Sequence, residues 1–253
     1  MIVNGGTSCY GSGPERLAER GTAAHSTVQI NGADSSEVWG GFRVARRARP
    51  FDVFAEIGTD DVFGYAERKP KRKPGHTTFS PLPSFRPRSR NPLQGQQPRS
   101  GHITDSAYSR LGDLQGKCGL SPVLVSAAHD GYRRLPGKPV HRREWQLAAD
   151  RLVVTDRIEG ECRSAVARFH LHPQVEGSIE PSSEPSSGKA CGTLRLVDGV
   201  CIRWRVIGGH PRLVPDTWHP EFGRSVPSQC LEVVIPADQC ALELSWAASG
   251  PSR

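Results

Sequence analysis

The sequence is poor in most features that build helices or mark a compartment. It contains a single Met, and only 36% of its 253 residues are apolar, below the roughly 45–50% of ordinary globular domains, a range that includes glycine. Helical periodicity is weak throughout, and only Pro14–Arg20 has room for one or two turns. A helical bundle or coiled coil is thereby excluded. No stretch approaches the roughly 18 apolar residues of a membrane helix, so no membrane partner is expected. The opening Met-Ile-Val-Asn-Gly-Gly lacks the basic and apolar regions of a secretory signal, which leaves the localisation unread. The seven cysteines (Cys9, Cys118, Cys162, Cys191, Cys201, Cys230 and Cys240) are odd in number and form no CxxC pair. Neither a zinc ribbon nor a closed disulfide set follows, and buried free thiols are the expectation.

Turn formers are plentiful instead: 27 Gly and 21 Pro, which favour short strands joined by many turns. The net charge of +7 is localised, because residues 66–120 alone hold 11 Lys/Arg against three Asp/Glu. The remainder is close to neutral, so the basicity is not a property of the folded part. Within that segment, Arg68-Lys69-Pro70-Lys71-Arg72-Lys73-Pro74 begins a run of seven prolines ending at Pro98. Proline removes sheet donors, and too few apolar side chains are present to offset the entropy of ordering. Residues 60–121 are therefore expected to be a disordered insertion. The basic run lies in no recognisable reading module, so specific nucleic-acid binding is not expected.

On either side of the insertion the sequence alternates. Ala165, Ala167, Phe169 and Leu171 define one face of a strand, and Val166, Arg168, His170 and His172 the other. Ile202, Trp204 and Val206 interleave with Cys201, Arg203 and Arg205, while Leu242, Leu244 and Trp246 alternate with Glu243 and Ser245. Asp198-Gly199 and Asn31-Gly32 are hairpin signals. Val28–Ile30, Val38–Val44 and Phe51–Ile57 read as further strands, and Ser182–Lys189 as a hairpin loop. Gly5-Gly6 and Gly40-Gly41 are turn or bulge glycines rather than a phosphate cradle. One apolar and one polar face per strand specifies an all-β, two-layer antiparallel β-sandwich of roughly ten to thirteen strands. Its parts are expected at 1–59 and 122–247, with the insertion between them and a tail at 248–253.

Several phrases carry a resemblance. They include Gly6-Thr7-Ser8-Cys9-Tyr10, Arg20-Gly21-Thr22-Ala23-Ala24-His25-Ser26-Thr27-Val28 and Phe42-Arg43-Val44-Ala45-Arg46-Arg47-Ala48. Farther on come His129-Asp130-Gly131-Tyr132, His141-Arg142-Arg143, Arg168-Phe169-His170-Leu171-His172-Pro173 and Trp218-His219-Pro220-Glu221-Phe222-Gly223. In this order they resemble the C-terminal β-sandwich region of the heparinase II/III-like polysaccharide lyases. The resemblance implies β-elimination at uronic-acid linkages of an acidic polysaccharide, in a cleft between the sandwich and an N-terminal helical toroid that supplies the catalytic tyrosine. It also implies a protein of the periplasm or cell envelope. The sandwich portion alone is expected to be inactive and to need a separate toroid domain. The abrupt basic stretch is expected to be an insertion or a displaced reading frame. A reading from another class is a non-catalytic carbohydrate-binding or structural sandwich.

The resemblance also ranks candidate residues. His25 is the family-matched residue beside the cleft, either supporting the active site or hydrogen-bonded to backbone at a strand start. Tyr10 and Tyr132 are candidate cleft tyrosines, with sheet packing as the alternative. Arg43, Arg46, Arg47 and Arg49, with Arg142 and Arg143, have the charge to bind sulfates or carboxylates, or to serve as a solvated face paired across strands with acids. Where some relatives hold a structural zinc, Asn4 stands at the aspartate position and His25 at a histidine position, with no third ligand. An amide and one imidazole do not make a zinc site, so no cofactor is expected. The His170/His172 pair also lacks an assignable third ligand.

Overall fold

The computed structural model describes residues 1–57, 122–180 and 189–247. The expected disordered insertion, the 182–188 loop and the 248–253 tail lie outside the described residues. In chain order the elements are β1 (Ile2–Val3), α1 (Pro14–Arg20), a 3-10 turn at Thr22–Ala24, β2 (Val28–Ile30), β3 (Glu37–Trp39), β4 (Arg43–Ala45) and β5 (Pro50–Ile57). They continue with β6 (Val123–His129), β7 (Val140–Leu147), β8 (Arg151–Glu159), β9 (Ala165–Leu171) and β10 (Val175–Ile179). The last five are β11 (Lys189–Leu196), β12 (Cys201–Ile207), β13 (His210–Trp218), β14 (Val226–Val234) and β15 (Gln239–Ser245).

Two antiparallel sheets form the sandwich. One has eight strands in the order β10-β11-β12-β15-β8-β7-β6-β5, and the other has five. In the smaller sheet β13 pairs with β14 and β14 with β9, while β1 and β2 share the far side of β9, pairing with its C-terminal and N-terminal halves respectively. The β3–β4 hairpin stands apart. Val38–Val44, expected as one strand, is thus two, because Gly40 takes a φ of +55° and turns the chain. No helix among the described residues is long and apolar enough to cross a membrane.

The alternation built these layers as the sequence implied. Ile202, Trp204 and Val206 on β12 are buried while Cys201, Arg203 and Arg205 are exposed. Val28, Ile30, Phe169, Leu171, Leu231 and Val233 from the small sheet join Leu194, Trp204, Leu242, Leu244 and Val154 from the large one in a single core. Full burial of such a side chain stabilises by about 1.5–3 kcal/mol relative to exposure. Gly192 makes room for the largest of them: a Cβ there would lie 1.9 Å from the Ser178 carbonyl and 2.7 Å from Trp204. Pro211 and Pro215 fall on β13, an edge strand where a missing N–H costs the ladder nothing.

β7 (VHRREWQL) reads as polar, and its sequence carries no strand signal. Its charges are buried in pairs. Arg143 donates to both Asp156 oxygens (2.7 and 2.9 Å), and His141 Nε2 lies 2.7 Å from Asp156 Oδ1. Burial works against the ionised Asp156, yet the Arg143 guanidinium and the His141 hydrogen bond prevail and hold its pKa at about 2. A third Arg143 bond, 2.6 Å to the Ser26 carbonyl, ties this network to the backbone beside His25.

Candidate functional site

The segment between β1 and β2 folds back over the outer face of the five-stranded sheet. Its turns are fixed by side chains: the Asp34 carboxylate accepts from the Thr22 amide at 2.6 Å, and the Ser26 hydroxyl donates to the Val3 carbonyl at 2.8 Å. Gly6 has a φ of +81°, and a Cβ there would sit 1.9 Å from the His219 carbonyl, so the β13–β14 connection packs directly on the backbone. These constraints enclose an open cleft of about 440 Å³ lined by Asn4, Thr7, Arg16, Glu19, Arg20, Thr22 and His25, together with Ser35, Ser36, Val38 and Val44.

His25 therefore lies in a cleft, and Asn4 lies with it. His25 Nδ1 is 2.7 Å from Asn4 Oδ1. An amide oxygen only accepts, so Nδ1 carries the proton and Nε2 keeps its lone pair. Burial and the nearby charge of His170 push the His25 pKa below its ordinary value. The ring is thus a neutral, oriented proton acceptor or hydrogen-bond acceptor. The family zinc does not fit this pair, since the amide and the ring satisfy each other and offer one imidazole between them.

Glu19, which the sequence reading did not single out, is buried at the base of the cleft. Its Oε1 accepts from the Ser8 amide at 3.0 Å and from the Ser8 hydroxyl. Burial alone would raise the carboxyl; the two Ser8 bonds and the nearby His219 outweigh it and keep Glu19 ionised. Its Oε2 and the Arg16 Nε are buried without a hydrogen-bond partner. Nothing in the seven-residue PERLAER helix marks one glutamate as inward-facing, because so short a segment shows no period.

Of the two candidate tyrosines, neither lines this cleft. Tyr10 is exposed, with its ring 4.1 Å from Phe222, 5.7 Å from Phe42 and 5.6 Å from the Arg16 guanidinium. Tyr132 has no exposed surface; its hydroxyl donates to the Val28 carbonyl at 2.7 Å, and burial pushes its pKa up to about 12. The position contradicts substrate contact, because a side chain sealed in the core meets no ligand.

A second concavity of about 680 Å³ adjoins the first through their common wall residue Val44. Arg46, Arg47 and Arg49 line it, as does Arg134, which was not anticipated. Arg134 is anchored to the Ser35 carbonyl at 3.1 Å, and Arg46 pairs with Glu37 at 2.7 Å. Arg47 and Arg49 are exposed and form no ion pair among the described residues. Arg43 is not part of this wall; its carbonyl accepts from Arg20 at 3.2 Å.

The His170/His172 pair separates. His172 packs tilted against the Trp218 ring, with centroids 4.7 Å apart, whereas His170 is buried and bonded to Asp216 at 2.6 Å. Burial would lower the His170 pKa, but the Asp216 hydrogen bond and the adjoining Cys230 raise it to about 10.

The model of the heparinase II/III-like C-terminal family matches residues 1–79 and 106–247. The chain belongs to the heparinase II/III-like family, as its C-terminal domain. The stretch that the heparinase II/III-like model skips is shorter than the 60–121 segment marked out by composition. No curated protein matches the sequence. Among solved structures, a heparinase III (the BT4657 gene product) superposes with a TM-score of 0.53 at 10% identity, over 98% of this chain and 28% of its own. The heparan sulfate lyase HepC from Pedobacter heparinus gives 0.53 at 11% identity, over 99% and 29%. At this identity the likeness establishes the fold. The chain spans little more than a quarter of either lyase.

Proposed function

We propose that this domain forms one wall of the substrate cleft of a polysaccharide lyase that acts on uronic-acid-containing glycans, with a helical toroid domain supplying the other wall and the proton-abstracting group. The observation that carries this reading is the pair of adjoining concavities. One is lined by a neutral, oriented His25 and an ionised Glu19, and the other presents Arg47 and Arg49. β-Elimination needs a base for the C5 proton, an acid for the leaving oxygen, and charge stabilisation at the carboxylate. The arginine groove fits the carboxylate and sulfate groups of an acidic glycan. His25, oriented by Asn4, serves as a supporting acceptor in the cleft, and Tyr10 lies outside its lining, beside the Arg16 guanidinium. Neither supplies the full acid–base pair, so the domain alone binds without turning over.

The test is binding of the purified chain to immobilised heparan sulfate, alginate and a neutral glucan as control. Binding to an acidic polymer, weakened by salt and by Arg47→Ala with Arg49→Ala, supports the reading. Equal retention on the neutral glucan with no effect of these substitutions favours the alternative of a general carbohydrate-binding module. Absence of binding to all three refutes both.

A further inference from the structure

Beneath the cleft, on the outer face of the five-stranded sheet, three side chains from three adjacent strands converge. His170 on β9 lies directly opposite Cys230 on β14, and Asp216 on β13 sits two residues along from Val214, the β13 partner of Cys230. Period-2 geometry puts all three on one face. His170 Nδ1, an Asp216 oxygen and Cys230 Sγ all lie within 4.8 Å of one another. We propose that His170, Asp216 and Cys230 form a binding site for a zinc-class divalent metal, distinct from the Asn4/His25 position.

Three independent features point the same way. The ligand set is one imidazole, one carboxylate and one thiol, which suits zinc with a fourth position left for a hydroxyl or water. The other ring nitrogen of His170 donates to the Ala23 carbonyl at 3.0 Å, which turns Nδ1 toward Asp216 and Cys230, as the outer partner of a metal-bound histidine does. The third is an unpaired neighbour. Ser228 lies two residues before Cys230 and opposite Asp216, and its buried Oγ has no hydrogen-bond partner. A metal-bound water at the fourth position would give that hydroxyl one. Cys230 and His170 are buried, and Asp216 keeps 24% of its side chain exposed, which provides the way in. Binding releases the Cys230 thiol proton and the proton between His170 and Asp216, leaving thiolate, neutral imidazole and carboxylate on the metal. A metal there would join β9, β13 and β14 and, through Ala23, brace the turn that carries His25.

The experiment uses the full chain, stripped with chelator and then titrated with zinc or cobalt(II). Expected are one tightly held equivalent by elemental analysis and, for cobalt, intense visible bands of tetrahedral geometry with a thiolate charge-transfer band in the near ultraviolet. Cys230→Ala removes the charge-transfer band, and Asp216→Asn weakens binding by about tenfold or more. His25→Ala leaves stoichiometry and spectrum unchanged. Because His170 is buried, circular dichroism of each variant verifies folding, and Cys230→Ala, a small apolar replacement, is the deciding variant. A folded wild type that retains no metal overturns the proposal. So does a charge-transfer band that survives Cys230→Ala, or one that disappears with His25→Ala.

Discussion

Asp156→Ala probes the polar network that holds the cleft in place. Asp156 is 1% exposed and receives two hydrogen bonds from Arg143 and one from His141. Removing it leaves a buried guanidinium without its counter-charge, and such a loss costs about 3–5 kcal/mol. In a domain of this size each kcal/mol lowers Tm by about 2–4 °C, so the midpoint should fall by roughly 6–20 °C. The double variant Asp156→Leu with Arg143→Met removes both charges and keeps an apolar stem against Phe169, over whose ring the Arg143 guanidinium lies 5.2 Å from the centroid. It should recover the guanidinium part of the loss, short of about 1 kcal/mol for the forfeited bond to the Ser26 carbonyl and about 1–3 kcal/mol for the His141 N–H left buried without an acceptor. Calorimetry or urea unfolding at neutral pH measures both. A single-variant cost below about 1 kcal/mol, or a double variant no better than the single, refutes the claim that uncompensated buried charge sets the effect.

Other consequences follow from the same structure. Burial, with His141 and Arg143 nearby, pulls the His129 pKa down to about 4; the unfolded chain then takes up the proton first, so stability falls as pH drops from about 6.5 towards 4, and His129→Gln flattens that slope in pH-resolved unfolding. Tyr132→Phe leaves the buried Val28 carbonyl without its donor and should cost about 1–3 kcal/mol in urea unfolding, with acidic-glycan binding unchanged. Gly192→Ala forces a Cβ against the Ser178 carbonyl and Trp204, destabilising by about 1–3 kcal/mol or more and perturbing tryptophan fluorescence.

The layers of this fold were legible because its strands are half-buried. On β9 and β12 an apolar residue fills every core-facing position, with Val166 and Ile207 the aliphatic exceptions on the other faces, and Asp198-Gly199 turns the β11–β12 hairpin, with Gly199 at a φ of +86°. Alternation failed at β7, where the inward positions hold His141 and Arg143. A charge paired with Asp156 is as buried as a leucine, but the pairing joins residues 13 and 15 positions apart and has no local signature. The site was legible in part for the same reason. His25, Asn4, Arg46 and Arg47 could be chosen by resemblance and charge. Glu19, Arg134 and the His170–Asp216–Cys230 group depend on which strands become neighbours. His170 and Asp216 meet across 46 residues because β9, β14 and β13 are adjacent in the sheet.

The most direct test of the account is an elimination assay on heparan sulfate and alginate, read as the ultraviolet absorbance of the unsaturated uronate. The purified chain alone should leave the absorbance flat, and addition of a helical toroid domain from the same family should make it rise. A steady rise from the chain by itself, abolished by His25→Ala, would show that the sandwich carries its own proton-abstracting machinery and would contradict the division of labour proposed here.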